Sequence, residues 1–173
     1  MRQKRPSEFM SGQAIRYARK QMPEMCEREF AAHLGISAVQ LVDAFVGHGN
    51  IRLRADLLTF FRAIENAGEV LALSRNEGAL HEKRGQYTGY KANGHASMVL
   101  GPDIDLRIFS DHWRYAYHVA SRSEDGALRS SFQFFDEFGF AVHKVYETDA
   151  TEKKAWAGLL AGLIEGSPKT APP

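Results

Sequence analysis

Residues 129–147 read Arg-Ser-Ser-Phe-Gln-Phe-Phe-Asp-Glu-Phe-Gly-Phe-Ala-Val-His-Lys-Val-Tyr-Glu, and this stretch is the strongest local indication of the fold. Its two halves, 129–136 and 139–147, are rich in aromatic and β-branched residues, which is typical of β-strands. Between them lies Asp136-Glu-Phe-Gly139, in which the glycine can adopt the positive φ of a tight hairpin loop. The stretch therefore predicts an antiparallel hairpin.

The segments on either side of this hairpin predict the rest of the domain. Apolar residues at helical spacing predict two to four helices between Ser11 and Arg62. After Gly68, a predicted helix C-cap, the apolar period changes to two. Further strands are predicted at 70–76, 85–91, 95–100, 103–109 and 113–120. A closing helix is predicted after Thr151, its expected N-cap, with an apolar face of Trp156, Leu159, Leu160 and Leu163.

This order of elements predicts an α+β fold with N-terminal helices, a large antiparallel β-sheet and a C-terminal helix. The chain has 173 residues, which suits a single domain, expected over residues 11–165. Residues 1–10 are interpreted as a disordered basic tail, and residues 166–173 as a Pro-rich tail or linker.

The composition restricts the classes of function. The chain contains 22 basic and 21 acidic residues, so no global field attracts nucleic acid or anionic lipid. Cys26 is the single cysteine, which excludes an intramolecular disulfide and a cysteine-based zinc site. No apolar stretch approaches the ~20 residues that cross a bilayer. We therefore expect a cytoplasmic protein without membrane insertion.

One motif is much more specific than these features. Residues 75–85 read Arg-Asn-Glu-Gly-Ala-Leu-His-Glu-Lys-Arg-Gly. This resembles the Arg-Asn-Glu-x-x-x-His-Glu-Lys-x-Gly signature of the HemS/ChuS haemin-degrading factor family. The similarity extends over roughly residues 29–163 and includes Asn93-Gly-His-Ala96, Asp105-Leu-Arg-Ile-Phe109, His112-Trp113, Phe132-Gln-Phe-Phe-Asp136 and His143-Lys-Val-Tyr146.

The resemblance implies a haem-binding domain of bacterial iron utilisation. Members of the HemS/ChuS family contain two tandem copies of the domain, and haem b lies against the sheet with a histidine on the iron and an arginine on the opposite side. This chain resembles the N-terminal copy. Two interpretations stay open: a single-domain relative of the HutX/ChuX carrier type, or half of a longer chain. A homodimer is expected, because single-domain relatives pair to imitate the tandem arrangement.

Two residues match the functional positions of the family. His81 matches the histidine of the His-Glu-Lys-x-Gly segment, which makes it the candidate axial ligand of the haem iron. Arg107 matches the distal arginine. The histidine that binds iron near the start of the second copy has no counterpart in the first helix of this chain.

The residues themselves permit these roles and also leave simpler ones open. Neutral imidazole is a good ligand for haem iron, but His81 also fits a surface histidine in a loop between strands. In the strand predicted at 103–109, alternation places Arg107 and Phe109 opposite the apolar face. Arg107 could then contact an iron-bound water or a propionate beside an apolar Phe109, or simply pair with Asp103 or Asp105.

The remaining candidates are weaker. His95 and His112 lie in stretches that match the family and are second choices for the iron. Lys144 and Tyr146 could contact haem propionates, or could serve only as sheet residues.

Three functions follow from these observations. The first is haem binding for transfer or sequestration, in which a haem importer or a haem-degrading partner would exchange the ligand. The second is haem degradation with an external reductase, because the chain has no flavin or nicotinamide fingerprint. The third is a DNA-binding regulator, suggested by helix-turn-helix spacing in residues 27–43. The absence of lysine and arginine from residues 36–47 argues against the third function.

Overall fold

The computed structural model describes residues 10–76, 78–93, 96–122, 126 and 128–164. The predicted tails therefore lie almost entirely outside the described residues, as does His95. The N-terminal part contains α1 (Gly12–Gln21), α2 (Glu27–Leu34), α3 (Ala38–Asp43), the short strand β1 (Asn50–Leu53) and α4 (Leu57–Ile64).

The strands follow in one continuous run. They are β2 (Gly68–Arg75), β3 (Leu80–Gly85), β4 (Ser97–Leu100), β5 (Asp105–Ile108), β6 (Tyr115–Arg122), β7 (Leu128–Phe135) and β8 (Ala141–Thr151), and α5 (Lys153–Ile164) closes the domain. Six of the strands form one antiparallel sheet in the order β1-β6-β7-β8-β2-β3, and β4 pairs with β5 in a separate hairpin. This arrangement is the predicted α+β class.

The main core lies between one face of the large sheet and the elements that cover it. Phe132 and Phe134 of β7 and Val145 of β8 are buried on this face, together with the apolar sides of α4, α5 and the β4–β5 hairpin. Phe60 of α4 contacts Phe134 with ring centroids 4.7 Å apart. Because Phe132 to Phe135 are all buried, the central strands are covered on both faces.

Helix α3 covers part of the opposite face. Its residues Val39 and Val42 pack against Tyr117, Val119 and Phe135. The helix-turn-helix spacing that the sequence shows is real, since Gly35 ends α2 in the left-handed conformation and a capping box at Ser37 begins α3. The second helix of this pattern, α3, packs its apolar face against the sheet. The helix-turn-helix pattern therefore contributes to the packing of the core.

The hairpin predicted for residues 129–147 forms between β7 and β8. Gly139 has a φ of 83°, and the Asp136 carboxylate accepts hydrogen bonds from the backbone N–H groups of Phe138 and Phe140. The Gly139 carbonyl also accepts a hydrogen bond from Val39, 3.1 Å away. The loop therefore connects the sheet to α3.

Three local predictions were wrong. The region from Ser11 to Arg62 contains the strand β1 as well as helices. The strand expected at 85–91 lies earlier in the chain, because β3 ends at Gly85. Thr151 does not cap α5, because its hydroxyl donates to the Glu69 carbonyl and Glu152 accepts from the Ala155 N–H instead.

Within the described residues, none of the helices has both the length and the apolar character that a membrane span requires.

Candidate functional site

The candidate iron ligand lies on the edge strand of the large sheet. His81 is in β3, rather than in the loop that the sequence allowed, and its side chain is exposed. Its register partner is Ser74 of β2, so the two side chains lie next to each other on one face. The imidazole is therefore accessible to a large ligand that approaches the sheet edge.

A shallow groove of about 390 Å³, open to solvent, adjoins this histidine. It is lined by Ser74, Arg75, Asn76, Ala79, His81, Ala141 and Val142. The Asn76 side chain accepts hydrogen bonds from the N–H groups of Gly78 and Ala79, both at 2.8 Å. These bonds shape the turn that leads into the edge strand, and they explain why an asparagine suits the Arg-Asn-Glu motif.

A second histidine lies deeper on the same face. His143 of β8 is 4% exposed, and its Nδ1 is 2.8 Å from the Ser74 hydroxyl. Its Nε2 is 2.6 Å from the hydroxyl of the fully buried Tyr87, and the Trp113 ring lies against it at 5.6 Å. Burial lowers the pKa of His143 to about 4, with a smaller effect from His81 in the same direction. The imidazole is therefore neutral at pH 7.

Sequence reasoning did not single out this buried histidine. The available signal was the strand alternation, because His143 shares its phase with the core residue Val145. Its partners Ser74 and Tyr87 come from segments far away in the sequence, and no spacing rule connects them.

Arg107 lies on the β4–β5 hairpin as the alternation predicted. Its side chain is 49% exposed and forms an ion pair with Asp105, while Ile104 and Ile108 are buried in the core. Phe109, just after β5, is 57% exposed. This hairpin approaches β3 closely, because Lys83 Nζ lies 3.5 Å from a carboxylate oxygen of Asp103.

Gly85 explains the last position of the motif. A Cβ atom at this residue would lie 2.4 Å from the Cβ of Asp103, which no side chain tolerates without movement. The glycine is therefore required by the close approach of the β4–β5 hairpin to the edge strand.

The second-choice histidines have different surroundings. His112 is exposed and ends a short 3-10 turn, Ser110–His112, directly before the buried Trp113. His95 lies outside the described residues. Among the residues that the structure describes, no group of three or more histidine, cysteine, aspartate and glutamate side chains could hold a bare metal ion.

Lys144 and Tyr146 lie on the opposite face of the sheet from His81. They alternate with His143 and Val145 and face Leu73 and Leu71 of β2. Burial lowers the pKa of the Lys144 ammonium, whose nearest carboxylate oxygen belongs to Glu27 at 3.8 Å. Burial also raises the pKa of Tyr146 to about 12. A ligand on the His81 face is separated from both groups by the sheet.

Known proteins match most of this chain. The family model for the haemin-degrading HemS.ChuX domain matches residues 35–163. The hemin transport proteins HmuS of Yersinia pestis and HemS of Yersinia enterocolitica are each 40% identical over 148 residues, which cover 85% of this chain and 43% of each relative. The chain therefore spans less than half the length of these curated relatives.

Solved structures with this fold include two longer relatives. ChuS, an Escherichia coli haem oxygenase, has a TM-score of 0.81 and 35% identity over 86% of this chain and 45% of its own. Holo-PhuS, a haem-binding protein from Pseudomonas aeruginosa, has a TM-score of 0.79 and 37% identity over 87% of this chain and 44% of its own.

A smaller protein has the same fold at much lower similarity. The haem-binding protein ChuX matches 86% of this chain and 97% of its own, with a TM-score of 0.71 and 15% identity, which is evidence for the fold alone. The family model covers well over half of the present chain and agrees with the Yersinia relatives. The chain is accordingly a member of the haemin-degrading HemS/ChuX domain family.

Proposed function

We propose that this domain binds haem through His81 and holds it for transfer or sequestration in the bacterial cytoplasm. The observation that carries the proposal is the exposed imidazole of His81 beside the groove at the sheet edge. Hemin transport by the Yersinia relatives and haem binding by PhuS support it.

The groove offers the types of group that haem needs. Ala79, Ala141 and Val142 supply apolar surface for the porphyrin. An exposed imidazole such as that of His81 can coordinate the iron. The ligand set thus fits an iron porphyrin, which requires one or two protein ligands to its metal.

Arg107 and Phe109 are proposed to contact the other side of the haem. The ion pair between Arg107 and Asp105 is exposed, so breaking it costs only ~0–1 kcal/mol. Arg107 is therefore available to hydrogen-bond a water or other ligand on the iron, and Phe109 offers an exposed aromatic wall. His112 and His95 remain alternative ligands under the same proposal.

A haemin titration tests the central assignment. The wild-type protein should give a saturable Soret shift with a histidine-type spectrum, and His81→Ala should weaken binding by about a hundredfold, similar to removal of a strong metal-ligand contact. His33→Ala is the matched control, since His33 is an exposed histidine on α2 and not a groove residue. An unchanged Soret band and affinity in His81→Ala would exclude His81 as the ligand.

The second candidate function is haem degradation. It is favoured by one comparison, because ChuS, 35% identical, is a haem oxygenase. The domain would then need oxygen and an external electron donor. Ascorbate or a reductase, added under air with catalase present, should bleach the Soret band and release iron if the domain is an enzyme. A stable ferrous or ferric spectrum under these conditions favours a carrier.

We also propose a homodimer as the haem-binding unit, since a second copy would cover the parts of the porphyrin that extend beyond the groove. Sedimentation with and without haemin measures this directly. A monomer that binds haemin with full affinity would contradict the proposal. A haem importer or a haem-degrading protein is the expected exchange partner.

A further inference from the structure

Three side chains form a row across three neighbouring strands. His143 of β8, Ser74 of β2 and His81 of β3 lie on the same face, because Ser74 is the register partner of His81 and its hydroxyl contacts His143. We call this set the cross-sheet row. Exposure increases along it, from the buried His143 through the half-buried Ser74 to the exposed His81.

The buried end of the row has a defined hydrogen-bond direction. A neutral imidazole donates from one nitrogen and accepts at the other. Tyr87 is fully buried, and the His143 Nε2 is the sole hydrogen-bond partner of its hydroxyl within the described residues. If Tyr87 accepted this bond, its own O–H would be buried without an acceptor, which is costly. Tyr87 therefore donates to Nε2, and His143 Nδ1–H donates to Ser74 Oγ.

This direction determines what Ser74 offers to its neighbour. A serine oxygen has two acceptor lone pairs, of which His143 occupies one. The second can accept an N–H from the imidazole on the adjacent strand. Histidines that bind metals usually donate their other ring N–H to such a group, which selects the tautomer and orients the ring.

We infer that Ser74, held by the Tyr87–His143 pair, is a positioning residue that accepts the inward N–H of His81 and presents the outward nitrogen to haem iron. The inference deepens the proposed function and rests on it. Ser74 itself contacts no iron in this arrangement, and its effect passes through His81. Ser74 would orient the His81 ring in the same way toward any other ligand with an iron or other metal centre in the groove.

The test compares Ser74→Ala with Ser74→Thr, because threonine retains the hydroxyl and suits a β-strand. Ser74→Ala should weaken haemin binding about tenfold. It should also lower the iron–histidine stretching frequency of the ferrous complex, measured by resonance Raman spectroscopy. Ser74→Thr should restore both quantities. Far-UV circular dichroism and thermal unfolding establish that each variant is folded.

The outcomes separate this inference from the proposed function. If His81→Ala abolishes binding but Ser74→Ala changes neither affinity nor frequency, the positioning role is wrong and the haem site stands. A loss of affinity without a frequency change, or one that threonine does not rescue, also overturns the inference, because it indicates altered groove packing only. If His81→Ala itself binds haemin normally, the proposed function fails first.

Discussion

His81 and His143 lie on the same face of one sheet with only Ser74 between them, yet they have opposite properties. His81 is on an edge strand and exposed, whereas His143 is on an inner strand beneath Trp113 and Tyr87. Burial makes His143 a neutral, fully hydrogen-bonded group and leaves His81 available to a ligand. The same residue type is therefore buried in the core or accessible to solvent according to its distance from the sheet edge.

The largest expected effect concerns acid stability. The pKa of His143 is lowered from 6.5 to about 4, so the unfolded chain binds more protons between these values. The corresponding stability is fully present above pH 6.5 and is lost progressively as pH falls from 6.5 through 4, by up to about 3 kcal/mol. Burial lowers the pKa of His118 and acts in the same direction.

Urea unfolding between pH 7 and pH 4.5 measures this loss. His143→Gln removes the titrating group and should unfold with a flatter pH dependence, even though it starts from a lower stability. Replacing the exposed His33 in the same way should leave the slope unchanged. Equal slopes in wild type and His143→Gln would contradict the buried assignment.

The next effect concerns the junction between the edge strand and the β4–β5 hairpin. Gly85→Ala places a Cβ 2.4 Å from that of Asp103. We expect destabilisation by about 1–3 kcal/mol, since overpacking forces the backbone to shift. Gly158→Ala is the control, because a Cβ there meets nothing within 4 Å on the exposed side of α5. That substitution should stabilise the helix by up to about 1 kcal/mol.

A smaller effect is expected from the tyrosine that donates to His143. Tyr87→Phe keeps the buried ring and leaves His143 Nε2 without its donor, which should cost about 1–2 kcal/mol in unfolding free energy. Tyr90→Phe removes a longer, half-buried hydrogen bond of 3.2 Å to Ser97 and should cost less. Equal losses of unfolding free energy in the two variants would show that the Tyr87–His143 hydrogen bond stabilises the fold no more than the Tyr90–Ser97 hydrogen bond.

The smallest stability effect is expected at Arg107. Its pair with Asp105 is exposed, so Arg107→Ala should change the unfolding free energy by less than about 0.5 kcal/mol. If Arg107 contacts bound haem, the same variant should lose about three- to tenfold in haemin affinity, or roughly 1 kcal/mol. Asp105→Asn, which releases the guanidinium, should retain that affinity. Equal affinity in Arg107→Ala and wild type would remove Arg107 from the haem site.

Local patterns predicted those elements whose stability is local. The β7–β8 hairpin and the alternation of Ile104, Asp105 and Arg107 followed from period-two spacing and one glycine. The sequence predicts a strand at 85–91, whereas the edge strand β3 ends at Gly85. The reason is that five of the six residues of β3 are exposed, so no apolar alternation marks this strand. The strand β1 was missed because it has only four residues and depends on pairing with β6.

The sequence by itself determined the α+β class, the family resemblance and the chemical groups of the His-Glu-Lys-x-Gly segment. Only the tertiary structure decided which histidine is accessible and which side chains lie on the same face of the sheet. It places Lys144 and Tyr146 on the face opposite His81. It also assembled the cross-sheet row from β2, β3 and β8. The physical reason is that burial and hydrogen-bond partners come from strands distant in sequence, whereas periodicity reports only neighbours along the chain.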